Sequence, residues 1–212
     1  MFRDRNNAGQ QLGEALAGYA GKRALVLAIP RGGVAVGYEV ARRLGAELSV
    51  VVSRKLPFPD NPEAGFGAVA EDGSLWLNAE ARHVPEHVRN FIIDQQRGEI
   101  RRRIEVYRGG KPLPLLEGRT VILVDDGIAM GSTMRVSVML CRNRKAGKVV
   151  VATPVTGTEQ ADEFRALADD FHVLLVPRNF YAVAQVYDNW YDMKDEEVLG
   201  ILATYENEKQ QV

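Results

Sequence analysis

Apolar residues recur along this chain with two different periods, and their alternation sets the expected architecture. Five short runs are apolar almost throughout: ALVLAI (24–29), ELSVVVSR (47–54), RTVILV (119–124), KVVVATPV (148–155) and FHVLLV (171–176). Continuous apolar runs of this length, closed by turn residues, mark strands buried on both faces. Helical spacing fills the intervals. Leu12, Ala15, Leu16 and Tyr19 predict an opening helix over 7–20, and a second over 34–45 stops at Gly45. A long helix follows Pro85, with Val88, Ile92, Ile100, Ile104 and Tyr107 along one side and Gly109-Gly110 at its end. Further helices are predicted over 132–146 and 158–169, and Val198, Ile201, Leu202 and Tyr205 close the chain as a helix. Strands alternating with helices predict right-handed βαβ units, hence an α/β fold with a mainly parallel central sheet flanked by helices.

Two segments break the alternation. Lys55 to Gly67 carries Pro57, Pro59 and Pro62, with Gly65 and Gly67 at its end, and reads as a long, exposed, flexible loop. Residues 67–78 place Asp72-Gly73 between two short extended runs, the signal for a hairpin. No repeat, low-complexity tract or linker interrupts the chain, so one domain over 1–212 is expected.

Composition narrows the class. With 212 residues, 46% apolar, 26% charged and a net charge of −1, the chain reads as a soluble globular protein. No basic excess points to nucleic acid. The start MFRDRNNAGQQ has no apolar stretch of signal type, and no run of about 18 apolar residues predicts a membrane span. Cys141 is the only cysteine, which excludes an internal disulfide and suits a reducing compartment; a cytoplasmic protein is expected. Cys141 shares an apolar stripe with Met134 and Val138, so it belongs to the core. Arg101, Arg102 and Arg103 spread over several helix faces, as a solvated or subunit-contact surface would. His83, His87 and His172 share no metal-ligand spacing, and no metal site is assigned to protein side chains. Asp195, Glu196 and Glu197 complement the dipole at the start of the last helix.

The chemistry concentrates in VILVDDGIAMGST, residues 121–133. An apolar strand runs into Asp125-Asp126, then a loop of Gly127, Ile128, Ala129, Met130, Gly131, Ser132 and Thr133, then a helix. In a parallel sheet, ligands bind beyond the carboxyl ends of the strands. A loop there that opens a helix offers free N–H groups and the positive end of the dipole to an anion. Gly127 and Gly131 let the backbone curl close to a phosphate, and Ser132 and Thr133 add hydroxyl donors. Two carboxylates beside such a cradle serve a different group, and a sugar diol suits them, since ionised aspartates accept from neighbouring hydroxyls. A P-loop is excluded because no Gly-Lys-Ser/Thr follows the glycines, and G-x-G-x-x-G is absent.

This segment resembles the phosphoribosyl pyrophosphate (PRPP) motif of type I phosphoribosyltransferases, in which apolar residues precede two acids and a Thr-Gly-x-Thr-like loop. The resemblance implies a type I fold with a small hood built from the chain ends. It implies that Asp125 and Asp126 hold the ribose 2- and 3-hydroxyls while Ala129 to Thr133 wrap the 5-phosphate. Met130 departs from the pattern, since the family commonly has threonine there. Arg31-Gly32-Gly33 resembles the family's pyrophosphate loop, often with a cis peptide near the basic residue. Arg54-Lys55 resembles the start of its catalytic loop, which brings cations to the departing pyrophosphate. Phe180 and Tyr181 lie in an aromatic cluster of the hood, able to stack on a flat ring or simply to anchor the closing helix.

The expected activity is transfer of ribose 5-phosphate from PRPP to a nitrogen of a nucleobase-like acceptor, with magnesium arriving on PRPP and pyrophosphate leaving. A homodimer is the default from the resemblance. The alternatives are a non-catalytic sensor of PRPP or a nucleotide, and a different α/β enzyme needing further metal-binding acids. Arg31, Arg54 and Lys55 favour the enzyme, because a sensor has less need of cations at a leaving group.

Overall fold

In the computed structural model, which describes residues 1–210, the apolar runs line up as a parallel sheet. Its strands are β1 (Leu25–Ala28), β2 (Glu47–Val50), β6 (Thr120–Val124), β7 (Lys148–Val155) and β8 (Asp170–Leu175), in the order β2-β1-β6-β7-β8. Because successive side chains point to opposite faces, each central strand feeds two cores. Val26, Ala28, Ile122 and Val124 pack on the side of Leu12, Val36 and Val40. Leu25, Leu27, Val121 and Leu123 pack on the side of Met134, Val138 and Phe164. The first side is covered by α1 (Arg5–Ala15) and α2 (Gly32–Leu44), which carry Leu12, Val36 and Val40. The second is covered by α4 (Ser132–Asn143) and α5 (Thr158–Leu167). Cys141 is fully buried there, where burial pushes its thiol up to about 12, so it is core as the apolar stripe predicts.

Two expectations need correction. The apolar run 47–54 is not one strand: β2 ends at Val50, the chain leaves the sheet through Val51 and Val52, and a new strand β3 spans Ser53–Phe58. The proline-bearing stretch 55–67 is likewise not a loop. It forms the antiparallel hairpin of β3 with β4 (Asn61–Ala70). The prolines fit because they avoid regular ladder positions: Pro57 sits at a register shift opposite Gly65, and Pro59 occupies the turn. The predicted turn at Asp72-Gly73 joins β4 to β5 (Leu75–Leu77), with Gly73 at φ +89°. These three strands make a second, antiparallel sheet.

The long helix α3 (Glu86–Arg108) starts after Pro85 and ends at Gly109 in the left-handed conformation, as the sequence predicts. It is fastened to both sheets by a buried ion pair. Arg108 donates to the Glu71 carboxylate and to the Val50 carbonyl (2.9 Å), and Glu71 also accepts from the Val52 N–H (2.8 Å). The last helix α6 (Asp195–Lys209) opens with Asp195, Glu196 and Glu197 in its first turn.

The chain ends meet in a small hood beyond the sheet. Phe2 bridges in parallel to Tyr187, its N–H donating to the Val186 carbonyl at 2.8 Å while Asp188 N–H donates back to its carbonyl at 2.9 Å. Phe2, Ala8, Val155, Val186 and Tyr187 form its core. Among the described residues no helix is long and apolar enough to cross a membrane.

Candidate active site

The loop after β6 is strapped onto the end of β7. Ile128 N–H donates to the Val155 carbonyl at 2.9 Å, and the buried Thr156 hydroxyl donates to the Ile128 carbonyl at 2.8 Å. Gly131 then turns the chain into α4 with φ +76°, a conformation that disfavours any side chain, and a Cβ there would lie 2.8 Å from the Phe164 ring. The loop walls a cleft of about 230 Å³ lined by Asp125, Gly127 to Thr133 and Met134, with Lys55 and Glu63 facing it from the hairpin. The residues singled out as a phosphate cradle are therefore brought together, at the amino end of a helix whose dipole favours an anion. Met130 is half exposed in this wall.

The two acids are placed differently from one another. Asp125 lines the cleft, and its Oδ1 accepts the Asp126 N–H at 2.9 Å. Asp126 points toward the hood, where its Oδ2 accepts from Arg5 Nε at 2.7 Å and its carbonyl accepts from the Tyr187 hydroxyl at 2.6 Å. Burial and the neighbouring Asp126 carboxylate raise the pKa of Asp125 well above the carboxylate range. Burial also raises that of Asp126, against the opposing pull of Arg5. Burial likewise raises the Tyr187 phenol, with the Asp126 charge adding to it.

The Arg31 loop abuts this pair. The Pro30–Arg31 peptide is cis, at the place the resemblance implies. A Cβ on Gly32 would collide with the Asp126 carboxylate, and one on Gly33 would meet the Val124 carbonyl at 2.9 Å and Asp125 Cα at 3.0 Å. Glycine is required here for close approach of two loops. The Arg31 side chain reaches toward α6, 3.8 Å from Asp195 Oδ1.

Arg54 and Lys55 separate. Adjacent residues on a strand face opposite ways, so Lys55 enters the cleft, where its ammonium donates to the Glu63 carbonyl at 2.5 Å. Arg54 turns to α3 and donates to Gln96 Oε1 at 3.0 Å. Burial lowers the pKa of both, and for Arg54 the Arg103 charge adds to the effect. The three arginines of α3 also part company. Arg103 is buried and pairs with Glu99 (2.8 Å), while Arg101 and Arg102 are exposed and Arg102 spans Glu99 (2.8 Å) and Asp195 (3.0 Å). The solvated-face expectation therefore fails for Arg103, which is buried and paired with Glu99 on its own helix.

Of the hood aromatics, Tyr181 is 85% exposed and Phe180 packs against the hood core; neither lines the cleft. The rings that anchor the hood are Tyr187 and Trp190, centroids 5.3 Å apart, with Phe2 5.5 Å from Tyr187. Sequence reasoning did not assign Arg5. It is buried, it stacks 4.0 Å from the Trp190 ring, and it comes from the far end of the chain, so local spacing carries no sign of its partner.

Fold and site together define an α/β protein of the type I phosphoribosyltransferase class. The sequence profile of the phosphoribosyl transferase domain matches residues 5–189, and the chain belongs to that family. It is 40% identical over 205 residues, 95% of its length, to the Mycobacterium tuberculosis proteins named "Putative phosphoribosyl transferase MT0597" and "Putative phosphoribosyl transferase Rv0571c". It spans 46% of the length of those curated relatives, so less than half of each. Among solved structures, TT1426 from Thermus thermophilus superposes with a TM-score of 0.81 at 41% identity, over 97% of this chain and 99% of that one.

Proposed function

We propose that this chain transfers ribose 5-phosphate from PRPP to a ring nitrogen of a nucleobase-like acceptor and releases pyrophosphate. The observation that carries the reading is one cleft walled together by Asp125, the Gly127–Thr133 loop and Lys55. In this reading the N–H groups and hydroxyls of 129–133 hold the 5-phosphate. Asp125 accepts a ribose hydroxyl from the wall of the cleft, and Asp126 accepts its neighbour through the oxygen that Arg5 does not take. Arg31 and the backbone of Gly32-Gly33 hold the pyrophosphate, with Lys55 delivered by the β3–β4 hairpin and Arg54 supporting it from the opposite face.

The acceptor nitrogen forms a bond to ribose C1 as the C1–O bond to pyrophosphate breaks, and the nitrogen's proton passes to water. The transition state resembles a sugar oxocarbenium ion, so positioning and fixed charge supply most of the acceleration. Among the described residues no group of three His, Cys, Asp or Glu side chains is arranged to hold a metal. Magnesium would come in on the phosphate oxygens of PRPP and on water, and when bound it would neutralise the leaving group. Phe180 and Tyr181, which do not line the cleft, are given no part in holding the acceptor. A cytoplasmic location and a homodimer belong to the same reading, with neither nucleic acid nor membrane as partner.

The test is magnesium- and PRPP-dependent pyrophosphate release across purines, pyrimidines and other nitrogen heterocycles. Release stimulated by one acceptor and lost in Asp125→Asn supports the reading. PRPP binding without release with any acceptor would replace it with a metabolite sensor.

A further inference from the structure

Arg5 is the first residue of α1, whose start is fixed by the Asp4 carboxylate accepting the Asn7 N–H at 2.8 Å. From there its side chain runs inward until only 7% of it is exposed. Nε donates to Asp126 Oδ2 at 2.7 Å and one terminal nitrogen donates to the Tyr191 carbonyl at 2.9 Å. The guanidinium lies 4.0 Å from the Trp190 ring centroid and 5.6 Å from that of Tyr191. One desolvated cation thus joins an acid of the candidate site to the hood. A lone guanidinium or a lone carboxylate is strongly disfavoured at such depth, so the two side chains are placed as a pair and Arg5 favours the charged form of Asp126.

Asp126 transmits that anchoring. Its N–H donates to Asp125 Oδ1 at 2.9 Å, which fixes the orientation of the carboxylate lining the cleft. The groups facing the pair are Arg5 from α1, the Tyr187 hydroxyl from the hood, and Lys55 and Glu63 from the hairpin across the cleft. Around Arg5 itself stand Asp4, Tyr191 and Glu197. Arg5 forms its ion pair with Asp126, and Lys55 is instead bonded to the Glu63 carbonyl. Without Arg5 the two adjacent buried carboxyls would hold protons more readily still, and a protonated acid loses acceptor capacity for a hydroxyl.

We propose that Arg5 is a positioning residue that favours the charged form of Asp126 and, through the Asp126 N–H, aims Asp125 into the cleft. The purpose of the pair rests on the phosphoribosyl-transfer reading above; the control of its charge by Arg5 does not. The hood and the sugar-binding acids are then one unit, since the same guanidinium is held by Tyr191 and stacked on Trp190.

The experiment compares wild type, Arg5→Gln and Arg5→Lys, each with ¹³C-labelled aspartate carboxyls followed by NMR across pH. Calorimetric titration with magnesium and PRPP is run alongside. Arg5→Gln should move the titration of the pair upward by about one pH unit or more, a tenfold or larger change in proton affinity. PRPP affinity should fall roughly tenfold at neutral pH and recover toward wild type as pH rises, a profile that simple loosening of the fold does not give. Arg5→Lys keeps the charge and should titrate close to wild type. A folded Arg5→Gln that titrates like wild type overturns the proposal. If Arg5→Gln does not fold, Arg5→Lys decides: an upward shift as large as one unit there overturns it. Wild type that fails to bind PRPP ends the sugar-phosphate reading, while the carboxyl titration still judges Arg5.

Discussion

A Cβ on Gly32 would occupy the space of the Asp126 carboxylate, so the loop after β1 and the loop after β6 are built to touch. The contact explains why the Arg31 loop needs glycine whatever anion it holds. Gly32→Ala should therefore push the two loops apart, with an overpacking cost of about 1–3 kcal/mol. Urea midpoints check the stability, and calorimetry should show PRPP affinity falling in the same variant. Unchanged values for both would mean that the loops relax freely and that the contact has no role.

Asp125 is the acid that lines the cleft. Asp125→Asn should weaken PRPP binding by about 1.5–3 kcal/mol, roughly ten- to a hundredfold, through loss of a charge-assisted hydrogen bond. Its folding should be preserved, because the substitution removes charge from a position where burial and Asp126 already oppose ionisation. Equal affinity in a folded variant would remove the ribose assignment.

Met130→Thr restores the hydroxyl that the related loops carry, at a half-exposed position that needs no repacking. PRPP affinity should hold or rise. A clear fall in the same titration would show that Met130 contacts something other than the 5-phosphate.

The Arg108–Glu71 pair, each side chain 7% exposed, ties α3 to both sheets. Glu71→Gln leaves a buried guanidinium without its counter-ion and should cost about 3–5 kcal/mol of stability, read as a lower urea midpoint. A loss below about 1 kcal/mol would mean that water reaches Arg108 and screens it.

Acid sensitivity should come in part from the amino edge of the sheet. Asp170 accepts from the Tyr19 hydroxyl and lies 3.4 Å from Lys148 Nζ, and its pKa falls from 3.8 to about 2, the Tyr19 bond being the largest cause. A depressed folded-state value means stability that is present above the ordinary value and lost as pH falls toward about 2. The stability gap between wild type and Asp170→Asn should be level near neutral pH and close between about pH 4 and pH 2. A gap independent of pH in urea titrations would contradict the assignment.

How much of this was written locally in the sequence follows from contact distance along the chain. The cradle was legible because Asp125 to Thr133 are contiguous, and one strand end plus one helix start place them together. The parallel sheet was legible because strands buried on both faces stay apolar without a break. The hairpin of β3 and β4 was not, because its prolines read as a loop and only pairing with a partner strand shows that they sit at a turn and a register shift. With that strand missed, the opposite facing of Arg54 and Lys55 was missed too. Arg5 was invisible for a different reason: its partner lies 121 residues away, and a lone arginine near a chain start has no local signature of a buried ion pair.

PRPP binding in the cleft is tested most directly by titration calorimetry of the wild-type protein with PRPP in the presence of magnesium. Binding should be saturable at one PRPP per chain and weakened roughly ten- to a hundredfold by Asp125→Asn. Folded wild-type protein that binds no PRPP at any concentration reached would contradict the assignment of the cleft.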